Sequence, residues 1–399
     1  MKLWVLGLRS KVRCVRTAVT IGCVRLCFLL TISLSVCHVS EAQFPGSEPA
    51  KGFSQDQIEI FDKAITSYMA RNRVPGLSIA IGERGKLLWS AGFGLADIEN
   101  YVPAKVETSY RFGSVSKPIT ATAVMQLAER GKLDLDAPIQ NYCAAYPSKQ
   151  WTVTARELLS HMGGVRDYRG NDQSNTFEEY TQHFTSVVEG LSVFKDDPLE
   201  YEPGTRYQYT SFGYNLLGCA VEGASGMQFM DYLKKNVLEP AGMLRTQQDS
   251  IFQIIPNRAQ GYDSKEFPDG SLRNSPIIDN SYKLPGGGLC GTVEDLVRFG
   301  IAVQNGLLIR KDTLTKMETE QRTRDGKSTT YGLGWGVAEH NGHKIIHHYG
   351  GQARVTAVLL LLPDDGAIAI LCNRQNAHID GISERLYDML TNGTVVPSM

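Results

Sequence analysis

The tightest constraint on how this chain folds lies near its C-terminal end. The segments GLGWGVAEH and HKIIHHYG flank Asn341-Gly342, a pair suited to the positive-φ conformation of a two-residue hairpin turn. VTAVLLLLP and AIAILCN flank Asp364-Asp365-Gly366 and predict a second hairpin. A third is expected far upstream, where GLSIAIG and LLWSAGFG border Glu83-Arg84-Gly85-Lys86. Helices punctuate the rest. Ser54 with Gln57 reads as a capping box before Ile58, Phe61, Ile65 and Met69, and Thr154 with Glu157 caps the short TARELLSH helix. A last helix is expected over about 380–390. Strands at both chain ends with helices between them predict an α/β (α+β) fold. In it one antiparallel sheet is built from both termini, flanked by helices, and carries a mainly helical insertion. The expected boundaries are 54–113 and 281–392 for the sheet part and 114–280 for the helical part. A linker at 43–53 and a tail at 393–399 complete the domain plan.

The first forty residues differ from the rest of the chain. Lys2, Arg9, Lys11, Arg13, Arg16 and Arg25 precede the first acid, Glu41, and Arg25 is followed by the uncharged run LCFLLTISLSV. That run is too short to span a bilayer, which takes ~20 residues. Ser40-Glu41-Ala42 has the small-x-small pattern of a signal-peptidase site, so residues 1–42 are read as a cleaved secretory signal. Two alternatives are a signal anchor over 17–39, with Arg25 tolerated, and a mitochondrial transit peptide. The whole chain carries a formal net charge of −1, which gives no reason to expect nucleic acid as a partner. Cys143, Cys219, Cys290 and Cys372 lie beyond the leader. They allow three pairings, and isolated buried thiols are the expectation for a chain that can build its own core.

The chemistry concentrates in RFGSVSKPITATAVMQLAERG, Arg111 to Gly131. Ser114 and Lys117 are three apart at the start of a helix, so they share a face. Pro118 suits a first turn, and Gly131 suits the residue after the last one. Serine needs a neighbouring base to become a nucleophile, and a buried, neutral lysine supplies one. The helix N-terminus adds backbone N–H groups for a developing oxyanion. The same spacing recurs at Ser192 and Lys195, followed by Asp196-Asp197-Pro198, without an apolar helix behind it.

Further elements come in order along the chain: LLSHMGGV, PGTRYQYTSFGYNLLG, PGGGLCGTVEDLVRF and HHYGGQ. With these the chain resembles the serine β-lactamase and penicillin-binding family, in the class C-related branch that includes D-aminopeptidases, esterases and LACTB-like proteins. The resemblance covers about residues 54–392. It implies that Ser114 is acylated, Lys117 is its base partner and Tyr209 shares proton transfer to the leaving group. It also implies that the N–H groups of Ser114 and Gly351 form an oxyanion hole, with Ser211, His348 and Gly350 on the substrate side. Two residues depart from the family pattern. Ser211 stands where an amide is frequent, and His348-Tyr349-Gly350 stands where Lys-Thr-Gly is usual, with Tyr349 the odder of the two. Tyr146-Pro147-Ser148 and Tyr262-Asp263-Ser264 repeat Tyr-x-Ser outside the long match.

Other chemistry-bearing residues have plainer readings. His340, His343, His347 and His348 crowd together, but neighbours on a strand face opposite ways, so no metal site is expected. Asp364 and Asp365 are read as turn residues, Arg354 as a solvated edge arginine, and Gly286-Gly287-Gly288 as a close backbone pass beside the site. Thr292 with Asp295 caps the next helix. The expected activity is hydrolysis of an amide or ester through an acyl-serine, without a cofactor, on a small-molecule or peptide acyl substrate. A penicillin-binding sensor that acylates without turnover, or a non-catalytic scaffold, is the alternative.

Overall fold

The computed structural model describes residues 52–169, 182–263 and 271–391. The expected leader, the first part of the linker and the 393–399 tail lie outside these residues. Among the described residues, no helix is long and apolar enough to cross a membrane.

Helix α1 spans Gln55–Asn72, and the Ser54–Gln57 capping box is formed from both sides. Its buried face, Ile58, Phe61, Ile65 and Met69 among others, follows the helical repeat. Strands β1 (Gly76–Glu83) and β2 (Lys86–Asp97) come next, then the short β3 (Val102–Pro103) and β4 (Tyr110–Arg111). Helices α2 (Ser116–Glu129), α3 (Ala155–Leu159) and α4 (Phe212–Ser225) lie in the middle of the chain. Strands β5 (Gln247–Gln248) and β6 (Leu289–Gly291), then helix α5 (Val293–Gln304), lead to the C-terminal strands. These are β7 (Gly336–His340), β8 (His343–Gln352), β9 (Val355–Leu362) and β10 (Gly366–Cys372), closed by helix α6 (Asp380–Thr391).

The main sheet has the order β3-β2-β1-β10-β9-β8-β7, so the first and last strands of the chain meet at its centre. Antiparallel pairing runs Leu77↔Cys372 to Gly82↔Ala367. All three expected hairpins are present. Their turn residues Arg84-Gly85, Asn341-Gly342 and Asp364-Asp365 all have positive φ, as the right-handed twist of the flanking strands requires. Strand β7 starts at Gly336, later than the sequence pattern suggested. Gly334 turns the chain at φ 97° and Trp335 is fully buried, so GLGW serves as a packed turn ahead of the strand.

The sheet separates two cores. On one face α1 and α6 cover Leu77, Ile79, Val358, Ile368 and Ile370. On the other, α5 lies over β1 and β10, and the helical region extends that core. Helix α2 is buried almost all round, from Ser116 to Leu127, and packs on α4. The expectation of isolated thiols fails for one pair: Cys143 and Cys219 form a disulfide with Cα atoms 5.4 Å apart. Tertiary packing sets the turn after Ile139–Asn141 against α4, a proximity that linear spacing does not encode. Cys290 and Cys372 are free and buried.

Candidate active site

Ser114 sits in the 3-10 turn Gly113–Val115 that feeds directly into α2. Gly113 has φ 51°, and a Cβ there would sit 3.2 Å from the Gly351 nitrogen. A Cβ on Gly350 would in turn meet the Phe112 carbonyl oxygen at 2.2 Å and the Ser114 nitrogen at 3.2 Å. Glycines allow this approach, which sets the Gly113–Ser114 backbone directly against that of Gly350–Gly351.

Lys117 is fully buried one turn along. Its Nζ lies 3.0 Å from Ser114 Oγ, 3.0 Å from Ser211 Oγ and 2.8 Å from the Gly286 carbonyl oxygen. An ammonium donates to all three. Loss of one proton leaves two N–H groups for Gly286 and Ser211 and directs the lone pair at Ser114. Burial pulls this lysine down to about 7, with Asp167 opposing and Lys283 assisting. The Gly286–Gly288 stretch is thus the close backbone pass the sequence suggested, and it is also a ligand of the lysine.

Tyr209 packs over Lys117, with Nζ 4.8 Å from its ring centre. Burial pushes its phenol up, while the neighbouring Ser114 hydroxyl opposes that rise, so it stays a proton donor at neutral pH. The other two Tyr-x-Ser triplets lie elsewhere: Tyr146 stacks near Phe194 in the core, and Tyr262 Oη accepts from the Ile98 N–H.

His348 is buried on the site face of β8 and both ring nitrogens are engaged. Nδ1 lies 2.8 Å from the Tyr349 carbonyl oxygen, which only accepts, so Nδ1 carries the proton. Nε2 then accepts from the Tyr331 hydroxyl at 2.8 Å. Burial and the nearby Lys117 hold its pKa well below the usual histidine range. Tyr349 faces the opposite core and hydrogen-bonds Ser383 on α6, which accounts for a large residue at that point of the motif.

Three residues near the nucleophile had no assigned role from sequence. His161, in LLSHMGGV, is fully buried with its ring centre 4.2 Å from that of Tyr209. Asp167 Oδ1 accepts from the Ser211 N–H at 3.1 Å, and burial raises its carboxyl. Lys283 is a second buried lysine, brought down to about 7 by burial and by Arg111. Neither Asp167 nor Lys283 falls in a stretch with a readable pattern.

These groups open on a cleft of about 950 Å³ lined by Ser114, Tyr207, Tyr209, Tyr331, His348 and Gly351. A second cavity of about 710 Å³, between α1 and β2, has none of the groups described above. The crowded histidines do not converge. His340 hydrogen-bonds Asp388, His343 is exposed, and His347 packs on Gly336. No cluster of metal-binding side chains is present among the described residues. Arg354 departs from expectation: it is half-buried, with a guanidinium bonded to Gln260. Ser192, of the second Ser-x-x-Lys, is exposed and donates to the Glu189 carbonyl oxygen.

Comparison with known proteins agrees with this geometry. The family described as Beta-lactamase matches residues 61–392. The human serine beta-lactamase-like protein LACTB, mitochondrial, is 31% identical over 416 residues, covering 78% of this chain and 76% of its own. A penicillin-binding protein from Bacillus halodurans has 27% identity and a TM-score of 0.68, over 81% of this chain and 98% of that one. The octameric penicillin-binding protein homologue from Pyrococcus abyssi, also 27% identical, reaches a TM-score of 0.70 over 84% of this chain and 77% of that one. A D-amino acid amidase from Ochrobactrum anthropi SV3 shares the fold at 20% identity and a TM-score of 0.72, over 85% of this chain and 99% of that one. With the serine, the buried lysine and the tyrosine gathered at one helix start, the chain belongs to the beta-lactamase family of serine hydrolases and penicillin-binding proteins.

Proposed function

We propose that the protein hydrolyses an amide or ester through a covalent acyl-Ser114 intermediate. The observation that carries this is the buried Lys117 amine, held by Ser211 and Gly286 and aimed at Ser114 Oγ from 3.0 Å. Neutral Lys117 takes the Ser114 proton as Oγ bonds to the acyl carbon. The carbonyl oxygen becomes an oxyanion held by the N–H groups of Ser114 and Gly351. The tetrahedral intermediate collapses and the leaving amine or alcohol takes a proton from Tyr209, which Lys117 restores. Water then attacks the acyl-serine, and Ser114 recovers its proton as the acid departs. Ser211 fixes the lysine, and His348 fixes Tyr331 at the cleft wall.

The test is a hydrolysis screen over p-nitrophenyl esters, D-amino-acid amides, peptides and β-lactams, with Ser114→Ala as control. Turnover lost in that variant supports the reading. A stoichiometric burst without turnover makes the protein an acylated sensor, and no acylation at all makes it a scaffold.

We further propose that the mature protein resides outside the reducing cytosol. The Cys143–Cys219 disulfide supports this, because such bonds persist in oxidising compartments. The relatives named mitochondrial bring the transit-peptide alternative level with export. N-terminal sequencing decides: a start at Gln43 on exported material supports cleavage after Ala42, and recovery with mitochondria supports the alternative.

A further inference from the structure

Behind the stretch that carries Gly351 lies a pocket of about 120 Å³ where Arg111, Arg258 and Arg354 meet a single carboxylate, Asp249. Asp249 is already engaged by three side chains. It accepts from Arg111 Nε at 2.8 Å and from Asn280 Nδ2 at 2.8 Å, and Arg258 Nη2 lies 3.2 Å from its other oxygen. Arg354 has no carboxylate partner among the described residues, and its guanidinium donates to the neutral Gln260 amide oxygen. Burial and the nearby Arg111 lower it to about 10. The Ser109 hydroxyl also lines the pocket, 5% exposed, beside the Cys290 thiol and without an oxygen or nitrogen partner. A half-buried cation without a carboxylate partner and a buried hydroxyl without an oxygen or nitrogen partner are both costly. One bound anion resolves both.

We propose that this pocket binds a small tetrahedral oxoanion, phosphate or sulfate, between Arg354, Arg258 and Ser109, and that occupancy braces the oxyanion side of the cleft. The charge fits: three guanidinium groups against one carboxylate leave an excess that a dianion neutralises through charge-assisted hydrogen bonds. The size fits as well, since the pocket is about four times the ~30 Å³ share of a liquid water. The route to the cleft is covalent and short. Arg111 precedes Ser114 by three residues, and its Nη1 donates to the Ala353 carbonyl oxygen at 3.3 Å, just beyond Gly351. Arg111 therefore ties together the two chain segments whose N–H groups face the acyl oxygen, and the anion fixes the guanidinium cluster around it.

Binding does not depend on whether Ser114 turns over, so it is measured first, on the full chain. The unfolding midpoint is followed against inorganic phosphate, with sodium chloride holding ionic strength constant. A saturable rise of roughly 3–6 °C at a hundredfold excess over Kd is expected, and sulfate should give the same. Arg354→Gln should abolish the saturable part and Arg258→Gln should weaken it at least tenfold. Glycerol phosphate should give none, because an organic ester overfills the pocket; an equal response to it overturns the assignment to a free inorganic ion. A rise that never saturates, equal in the wild type and both variants, is a general salt effect and overturns the site. Should Arg354→Gln fail to fold, Arg258→Gln and direct phosphate calorimetry on the wild type decide. The second arm is acylation of Ser114 by a neutral activated ester. Phosphate should accelerate it roughly fivefold in the wild type, only at correspondingly higher concentration in Arg258→Gln, and not at all in Arg354→Gln. Binding without acceleration overturns the coupling to the cleft.

Discussion

Ser114 and Lys117 stand three residues apart on the turn into α2, and Ser192 and Lys195 stand three apart around the 3-10 turn Leu191–Val193. The first pair is set in a core. Lys117 is fully buried, ringed by Tyr209 and Tyr214, and bonded to Ser114 and to two further oxygens. The second pair is at the surface, where Ser192 is exposed and gives its proton to the Glu189 carbonyl oxygen within its own turn. Spacing alone is therefore silent about reactivity. What separates the pairs is desolvation, which brings one amine down to about 7, together with the close pass of the Gly350–Gly351 backbone beside Ser114.

The sharpest way to break the comparison is to remove each serine in turn. Ser114→Ala should lower kcat/KM for any accepted substrate about 10⁴-fold or more and should abolish the single adduct formed with a fluorophosphonate. Ser192→Ala should change neither. An intact-mass adduct that survives Ser114→Ala, or maps to Ser192, would sink the assignment.

The lysines test the cause. With its folded pKa near 7 against ~10.5 unfolded, Lys117 is protonated in both states below pH 7, and the folded state bears the full cost of burying its charge. Between pH 7 and about 10 the unfolded chain binds the extra proton, so stability rises with pH, at most about 1.4 kcal/mol per unit for this group. Lys283 adds to the same window, and above pH 9 the buried thiol of Cys290, pushed up to about 12, opposes it. Lys117→Met should therefore flatten part of that slope and remove activity, with the gain from deleting the buried charge offset in part by the Gly286 carbonyl and Ser211 hydroxyl it leaves unpaired; Lys195→Met should stay within about 0.5 kcal/mol. Urea midpoints across pH 6–9 check this, and a wild-type stability independent of pH would contradict it. Acylation by the wild type should also fall below pH 7 as Lys117 takes up its proton.

How legible was this in the sequence? The hairpins and caps were, because Asn341-Gly342 or Ser54 with Gln57 act within a few residues. The identity of Ser114, Lys117 and Tyr209 as neighbours came from motif order and not from any single triplet, since Tyr-x-Ser occurs three times. Asp167, Lys283 and the Cys143–Cys219 bond stayed hidden. Each depends on packing between distant segments, and none leaves a periodic or spaced signal behind. Arg354 was misread for the same reason: a position at a strand end looks solvated until Gly261 and Gln260 are found against it.

His348 sets the next prediction. Where the family pattern has a lysine, this chain has an imidazole that is neutral and closed off by Tyr331 and Tyr349. A substrate carboxylate gains no cation from it, so neutral esters should exceed carboxylate-bearing β-lactams in kcat/KM by about 10- to 150-fold, the worth of a charge-assisted hydrogen bond. The margin should persist on mild acidification, because burial and the nearby Lys117 hold the His348 pKa well below the usual histidine range. Efficient penicillin hydrolysis, or a preference that reverses on acidification, would count against it.

The smallest effect is expected at His161, which brackets Tyr209 from both sides. Its carbonyl oxygen accepts the Gln208 N–H at 2.9 Å, and its Nδ1 accepts the Thr210 N–H at 3.2 Å. It does so at φ 58°, a left-handed backbone that a non-glycine residue adopts only when its surroundings hold it there. Burial, with Lys117 and His348 nearby, holds the ring's pKa well below the usual histidine range, and with Nδ1 already taken by the Thr210 N–H its expected contribution is to the aim of Tyr209. His161→Phe preserves the ring packing but leaves the Thr210 N–H without its acceptor, and kcat should fall about tenfold with KM nearly constant. His161→Asn tolerates the left-handed backbone and restores an acceptor, and should recover part of that loss. The decisive reading is the acid limb of the rate profile. It belongs to Lys117 and should stay near pH 7 in both variants, whereas a limb that moves with His161→Phe would mean the imidazole takes part in the proton transfer itself.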